Sequence, residues 1–144
     1  NRIVIGSPKE NPTRITCMDV YPVEGAKPGK IVWNQSHVLK GNRNHGKWLL
    51  EVEESGNYEF ALSRWPRESG LSFSESPHKA QKRSYSEAQL IIDGILQKQS
   101  VNPRDKQVRF FAKLAKGPLE LEALLFEKSG EVTSAYYVEI LKKR

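Results

Sequence analysis

The chain has 144 residues with 23 Lys or Arg against 17 Asp or Glu, so its net charge is +6 and its isoelectric point is near 9.5. A single cysteine excludes an intrachain disulfide and a zinc site built on several cysteines. No apolar run reaches the roughly 18 residues of a membrane-spanning helix, and the length predicts one domain over residues 1–144.

The first third of the chain consists of short segments of strand type. Ile3 to Ile5 and Arg14 to Asp19 are predicted strands, and in the second of these Ile15 and Cys17 share one side. Residues 20–30 contain two Pro and two Gly, so we expect a loop there.

Residues 48–66, WLLEVEESGNYEFALSRWP, contain two runs in which every second residue is apolar. This alternation is typical of half-buried strands. Because the runs are separated only by Glu-Ser-Gly-Asn, we expect them to pair as an antiparallel hairpin. Continued alternation places Arg64 inward and Trp65 outward, unless a bulge intervenes. An inward Arg64 would pair with a carboxylate such as Glu68.

The remainder of the chain also alternates. A polar stretch that ends near Glu87 is long for a loop, so it is either functional or mobile. The dipeptide Asp93-Gly94 between apolar runs predicts a second hairpin. Strict alternation from Leu119 favours a strand, although its Leu and Glu residues also suit a helix. The predicted fold class is all-β: an antiparallel β-sandwich or jelly roll of about eight or nine strands, galactose-binding-domain-like in type.

No motif in the sequence predicts catalysis or metal binding. The histidines, His37, His45 and His78, lack the spacing of a metal-binding pair. Cys17 alternates with Ile15, which favours a buried and unreactive thiol over a nucleophile. No glycine-rich phosphate loop and no serine nucleophile elbow is present.

Two groups combine aromatic rings with polar side chains, as sugar-binding sites do. In such sites a ring covers the apolar face of the sugar, short polar side chains bind its hydroxyls, and a guanidinium suits sulfate or carboxylate. The alternative is that the tryptophans close the ends of the sandwich or pack on a neighbouring domain. The candidate binding or domain-interface residues are Trp33, Asn34, Gln35, His37, Arg64, Trp65 and Glu68.

Several blocks, above all GKWLLEVEESGNYEFALSRWPRE at residues 46–68, resemble the C-terminal β-sandwich region of bacterial arylsulfatase-type sulfatases. The opening RIVIGSPKENPTRITCMDVY, WNQSHVLKG at residues 33–41, FFAKLAKGPLELEALLF and the closing AYYVEI add to this resemblance. It implies a fragment of a longer, periplasmic or secreted enzyme whose calcium and formylglycine lie in a preceding catalytic domain. Formylglycine is made in a C/S-x-P-S-R motif, whereas Met18-Asp19-Val20 follow Cys17, so the fragment itself is expected to be inactive and to hold no cofactor. Val20-Tyr21 departs from the family pattern, which puts in doubt a substrate contact by that loop.

The first hypothesis is therefore a non-catalytic accessory domain that packs on the sulfatase catalytic domain of the same parent chain and helps to frame a cleft for a sulfated glycan. The alternative is an autonomous carbohydrate-binding module with a solvent-facing aromatic platform. The basic balance favours polyanionic partners in general, but bases and aromatics do not interleave along one strand, so nucleic acid is not expected as a partner. A membrane is not expected either, because no apolar run is long enough to span one. A domain cut from a larger protein should also expose an apolar patch, for which Phe111, Leu124 and Phe126 are the candidates. The alternative is that these three residues form a second buried face, covered by loops.

Overall fold

The computed structural model describes residues 2–22, 46–75 and 84–143. Within these ranges the chain forms eleven strands and two short 3-10 turns, and no α-helix. The 3-10 turns are Cys17–Asp19 and Arg67–Ser69. The strands are β1 (Ile3–Ile5), β2 (Thr13–Thr16), β3 (Tyr21–Pro22), β4 (Gly46–Val52), β5 (Gly56–Ser63), β6 (Tyr85–Ile92), β7 (Ile95–Ser100), β8 (Val108–Leu114), β9 (Gly117–Glu127), β10 (Val132–Ser134) and β11 (Tyr137–Lys142).

The strands form two sheets that enclose one apolar core. The first sheet has the order β1-β4-β9-β6-β7, with β3 beside β4 and β10 beside β9, and the second has the order β2-β11-β5-β8. Every pairing is antiparallel except that of β1 with β4. The predicted all-β sandwich is therefore confirmed. The strands outnumber the predicted eight or nine in part because β3 and β10 are too short to alternate visibly.

The two apolar runs of residues 48–62 do not pair with each other, so the predicted hairpin is wrong. β4 pairs with β1, β3 and β9 in one sheet, whereas β5 pairs with β8 and β11 in the other. The Glu-Ser-Gly-Asn segment therefore carries the chain from one sheet to the other. Both runs bury their alternate side chains, such as Leu50 and Phe60, in the shared core. Alternation identifies the buried face of a strand but not its neighbour.

The other hairpin prediction is confirmed. β6 and β7 pair antiparallel from Glu87 with Ser100 to Ile92 with Ile95. Asp93 and Gly94 both have positive φ, +47° and +85°, as a tight two-residue turn requires. The Asp93 carboxylate also accepts a hydrogen bond of 2.8 Å from the backbone of Glu120 in β9.

The second predicted strand is shorter than expected. Thr16 ends β2 because it caps the following 3-10 turn: its backbone N–H donates to the Asp19 carboxylate at 3.0 Å, and its hydroxyl accepts from the N–H of Met18 at 3.3 Å. This reciprocal capping box stops the extended backbone one residue before Cys17. Cys17 is nevertheless buried, as predicted.

Two glutamines join the sheets at one side of the sandwich. The amide of Gln97 on β7 donates to the carbonyl of Phe111 on β8 at 3.1 Å, and the amide of Gln99 donates to that of Arg109 at 2.5 Å. β7 and β8 are edge strands of different sheets. Side-chain amides thus connect two edges that share no backbone ladder.

Only one of the three candidates for an exposed apolar patch is exposed. Phe111 is 58% exposed, but Leu124 is buried and Phe126 is half-buried. The three consecutive residues 123–125 are all buried, so both faces of β9 are covered at this point and alternation no longer separates inside from outside. Other large apolar side chains, among them Val4, Met18 and Tyr21, are exposed instead.

Candidate functional site

The Arg-Trp-Pro segment follows directly on β5, and both of its long side chains are buried. Arg64 is 1% exposed and Trp65 is 3% exposed. The inward placement of Arg64 is as predicted, whereas the outward placement of Trp65 is wrong. Strand β5 ends at Ser63, whose hydroxyl donates to the carbonyl of Trp65 at 2.9 Å. The turned backbone no longer alternates, so consecutive side chains enter the interior together.

Arg64 and Trp65 pack on each other. The guanidinium carbon of Arg64 lies 4.3 Å from the centroid of the Trp65 ring, which is a cation–π contact. The Trp65 indole N–H donates to the carbonyl of Glu75 at 2.8 Å. This hydrogen bond fixes the ring against the segment that follows the second 3-10 turn. Trp65 is therefore not the solvent-facing platform that an autonomous carbohydrate-binding module needs.

Two phenols share the buried surroundings of Arg64. Burial raises the pKa of Tyr85 and of Tyr136, although the nearby Arg64 charge opposes that rise in both. The phenols therefore stay protonated over the whole physiological range. Phe73 packs edge-on against Tyr85, with ring centroids 6.1 Å apart. This end of the sandwich is a packed aromatic cluster around one cation.

Glu68 pairs with a different arginine from the one expected. It lies on the 3-10 turn Arg67–Ser69, and its two carboxylate oxygens accept from the guanidinium of Arg14 on β2 at 3.0 and 2.5 Å. This pairing holds the pKa of Glu68 at about 2. The predicted Arg64–Glu68 pair is wrong because Arg64 turns into the core, whereas Glu68 faces the outer surface of the second sheet.

A cleft opens beside Trp65. Its volume is about 550 Å³, and among its described lining side chains four are cations and one is a carboxylate. The lining residues are Trp65, Pro66, Arg67, Leu71, Arg104, Asp105, Lys106, Gln107 and Arg109. This cleft is not evident from the sequence, because residues 104–109 lie some forty positions from Trp65. The sequence feature that could have indicated a cationic site is the basic turn NPRDK at residues 102–106.

The turn that carries the cleft cations is anchored to the chain around Trp65. The backbone N–H of Phe73 donates to the carbonyl of Asp105 at 2.9 Å, and that of Ser74 donates to Pro103 at 3.0 Å. The N–H of Arg104 donates to the Asn102 side chain at 3.0 Å. The two walls of the cleft are therefore held together by backbone hydrogen bonds.

Two kinds of reactive group can be checked in the part of the chain that the structure describes: the thiol and clusters of metal-binding side chains. Burial raises the pKa of the Cys17 thiol to about 12, so it is neutral and shielded rather than nucleophilic. Residues 2–22, 46–75 and 84–143 contain no group of three His, Cys, Asp or Glu side chains that could hold a metal ion. They also form no helix with the length and apolar character needed to span a bilayer. Four of the predicted site residues lie outside the described ranges, namely Trp33, Asn34, Gln35 and His37.

Comparison with known proteins gives little. No family model matches the chain. No curated protein matches it either. Among solved structures it is similar to a ruminal GH26 endo-beta-1,4-mannanase, with 14% sequence identity and a TM-score of 0.46. The similarity covers 92% of this chain but only 26% of the mannanase, and nothing about activity follows from so distant a likeness.

Proposed function

We propose that the chain is a non-catalytic C-terminal accessory domain of a sulfatase, a sulfuric ester hydrolase of sulfated glycans or aryl sulfates. In this proposal it packs on the catalytic domain of the same parent chain. Calcium and formylglycine belong to that domain, and the parent is periplasmic or secreted.

One observation carries the proposal: the described part of the sulfatase-like block serves structure rather than chemistry. Arg64 and Trp65 fill the end of the sandwich, and Glu68 ties the following turn to Arg14. A motif whose characteristic residues hold a scaffold together suits a domain that supports an active site elsewhere.

An exposed apolar surface offers a place to pack on the catalytic domain. Val4, Met18 and Tyr21 are each more than 40% exposed. Met18 and Tyr21 border a shallow hollow of about 340 Å³ together with Ile3, Asp19, Val20 and Leu49. Exposed apolar side chains around a hollow with a polar component are typical of interfaces between domains. We call this surface the Tyr21 face.

The parent gene provides the most direct test. Its coding sequence upstream of Asn1 should encode a C/S-x-P-S-R motif in an α/β domain. The purified chain should release no nitrophenol from 4-nitrophenyl sulfate, whereas the full gene product should. An upstream sequence without such a motif, or turnover by the chain alone, would refute the proposal.

Association in trans tests the packing role. The catalytic region and the present chain, produced separately, should co-elute in size-exclusion chromatography. Tyr21→Asp should abolish co-elution because it places an unpaired charge in the interface. Ile95→Asp is the matched control, since Ile95 is 73% exposed on the β6–β7 hairpin, away from the Tyr21 face. Equal loss of co-elution in both variants would contradict this role for the face.

A further inference from the structure

We infer that the cationic cleft beside Trp65 binds a sulfated sugar, as a substrate-contacting subsite that the accessory domain supplies. The class of ligand rests on the proposed function. The site itself rests on charge, shape and rigidity, which are independent of it.

The charge of the cleft is positive, and part of it is available to a ligand. Arg67 Nη1 lies 3.6 Å from the Glu139 carboxylate. Hydrogen bonds from Ser72, and to a smaller extent the nearby charge of Lys106, lower the pKa of Glu75, so Lys106 also lies near a carboxylate. Arg104 and Arg109 form no ion pair with any residue in the described ranges. Among the described lining residues Asp105 is the one carboxylate, so the charge open to a ligand is chiefly that of Arg104 and Arg109.

The chemistry of the lining suits a sulfate ester on a sugar ring. A guanidinium presents parallel N–H donors that match two oxygens of a sulfate group. Pro66 and Leu71 provide an apolar wall for the carbon face of a ring, and the Gln107 amide can bond hydroxyls. The cleft therefore offers both kinds of contact that a sulfated sugar requires.

The shape of the cleft favours a short oligosaccharide over nucleic acid. Its volume of about 550 Å³ lies within the usual range for small-ligand sites. Single-stranded nucleic acid instead needs an extended groove with exposed rings on which successive bases stack. Among the described lining residues the one aromatic side chain is Trp65, which is 3% exposed and offers no such face.

The cleft is also held in shape before any ligand binds. Its two walls are joined by the hydrogen bonds of Phe73 and Ser74 to the 103–105 turn, and Trp65 is anchored on Glu75. The backbone of Arg109 accepts from the Gln99 amide at 2.5 Å. The backbone therefore needs little ordering on binding, and the entropic cost is confined to the exposed side chains that contact the sugar.

Isothermal titration calorimetry of the chain tests this inference. Sucrose octasulfate is the probe, unmodified sucrose is the neutral control, and an oligo-dT of twelve nucleotides represents nucleic acid. We expect heat with sucrose octasulfate and none with sucrose, and an affinity that falls as NaCl is raised because the cations are exposed. Tighter binding of the oligo-dT than of sucrose octasulfate would overturn the assignment to a sugar.

Matched variants separate a built site from diffuse charge. Arg104→Gln with Arg109→Gln should weaken binding by about a hundredfold, roughly tenfold for each charge-assisted contact removed. Lys116→Gln with Lys128→Gln removes the same charge from exposed positions outside the cleft and should change affinity far less. Arg109→Lys keeps the charge but not the paired N–H donors of the guanidinium. In place of Arg109→Gln in the double variant, it should therefore restore only part of the lost affinity. If both double variants weakened the binding of sucrose octasulfate equally, the assignment of the site to this cleft would be wrong.

The failure of this inference is distinguishable from that of the proposed function. If sucrose octasulfate gives no heat, the cleft is not a binding site for sulfated sugars. The tests of the upstream motif and of domain packing do not depend on that result. A parent gene without a sulfatase motif removes the proposed function, whereas selective binding that depends on Arg104 and Arg109 would still establish the site.

Discussion

Both carboxylate oxygens of Glu68 contact the guanidinium of Arg14, at 3.0 Å from Nη1 and 2.5 Å from Nη2. Arg14 lies on β2 at the edge of the second sheet, whereas Glu68 lies on the turn after β5, and β11 runs between these two strands. The side chains of Arg14 and Glu68 therefore meet across β11, the strand between the two elements that carry them. On β11, Glu139 faces Arg14 at 3.9 Å and Arg67 at 3.6 Å, so four charges form one surface network.

The Arg14–Glu68 pair should make stability depend on pH in the acid range. The pKa of Glu68 is lowered from 4.5 to about 2, chiefly by its hydrogen bond to Arg14. A carboxyl with a depressed pKa in the folded state stabilises the fold above its unfolded pKa, and this contribution disappears as pH falls from about 4.5 to about 2. Urea midpoints of the native chain and of Glu68→Gln should differ modestly at pH 7, because the pair is exposed, and converge near pH 2. A constant difference across this range would contradict the assignment.

Trp65 should contribute to stability rather than to ligand contact alone. Trp65→Ala removes a buried ring and should lower the free energy of unfolding by about 3–5 kcal/mol. Trp65→Phe keeps most of the packing but leaves the Glu75 carbonyl without the indole N–H, so it should cost about 1–3 kcal/mol. Urea denaturation followed by circular dichroism measures both. Two variants as stable as the native chain would mean that the ring is not part of the core.

The Cys17 thiol should be inaccessible until the chain unfolds. It is 1% exposed, and burial raises its pKa to about 12. At pH 8 a disulfide-exchange reagent such as dithionitrobenzoate should label it in urea but not in the native chain over the same minutes. Because the folded pKa exceeds the unfolded one, stability should also decline from about pH 9 towards pH 12, and Cys17→Ala should lose that part of the decline. Rapid native labelling would contradict the buried placement.

Gly6 should not tolerate a side chain. Its φ is +75°, and a Cβ there would lie 1.8 Å from the hydroxyl oxygen of Tyr58. Gly6→Ala should therefore cost about 1–2 kcal/mol for the backbone conformation alone, and more for the collision. Tyr58→Phe removes the nearest colliding atom, along with a hydrogen bond to the Glu54 carbonyl at 2.5 Å.

Thermal unfolding of both single variants and the double variant gives the coupling between the two positions. The double variant should be more stable than the sum of the single losses implies, because the closest contact of the collision, at the Tyr58 hydroxyl oxygen, is present in Gly6→Ala but absent from the double variant. Simple additivity would show that Gly6 and Tyr58 do not meet.

The sequence predicted the class of fold because period-two alternation is a local signal. Leu119 onward is helix-prone by composition, yet it forms β9, where strict alternation places Leu119 and Leu121 in the core. Strand pairing is not local. The short link between β4 and β5 fits a hairpin, but each run is apolar on one face, and placing them in opposite sheets buries both faces against each other.

The site was less predictable for the same reason. Arg64 and Trp65 are conspicuous in sequence, but the end of β5 at Ser63 decides where they point, and alternation carries no information beyond a strand end. The cleft depends on the hydrogen bond between Phe73 and Asp105 and on that between Ser74 and Pro103, which join segments far apart in sequence. Only the three-dimensional arrangement brings the basic turn to the tryptophan.

The amides of Gln97 and Gln99 have a consequence for how the protein behaves when concentrated. An uncovered edge strand invites a strand from a second molecule, which is the first step of edge-to-edge aggregation. Here the carbonyls of Arg109 and Phe111 on the β8 edge are already occupied by side chains of the same chain. Amides carry no charge to titrate or screen, so this protection should persist across acidity and salinity that would weaken the ion pairs nearby.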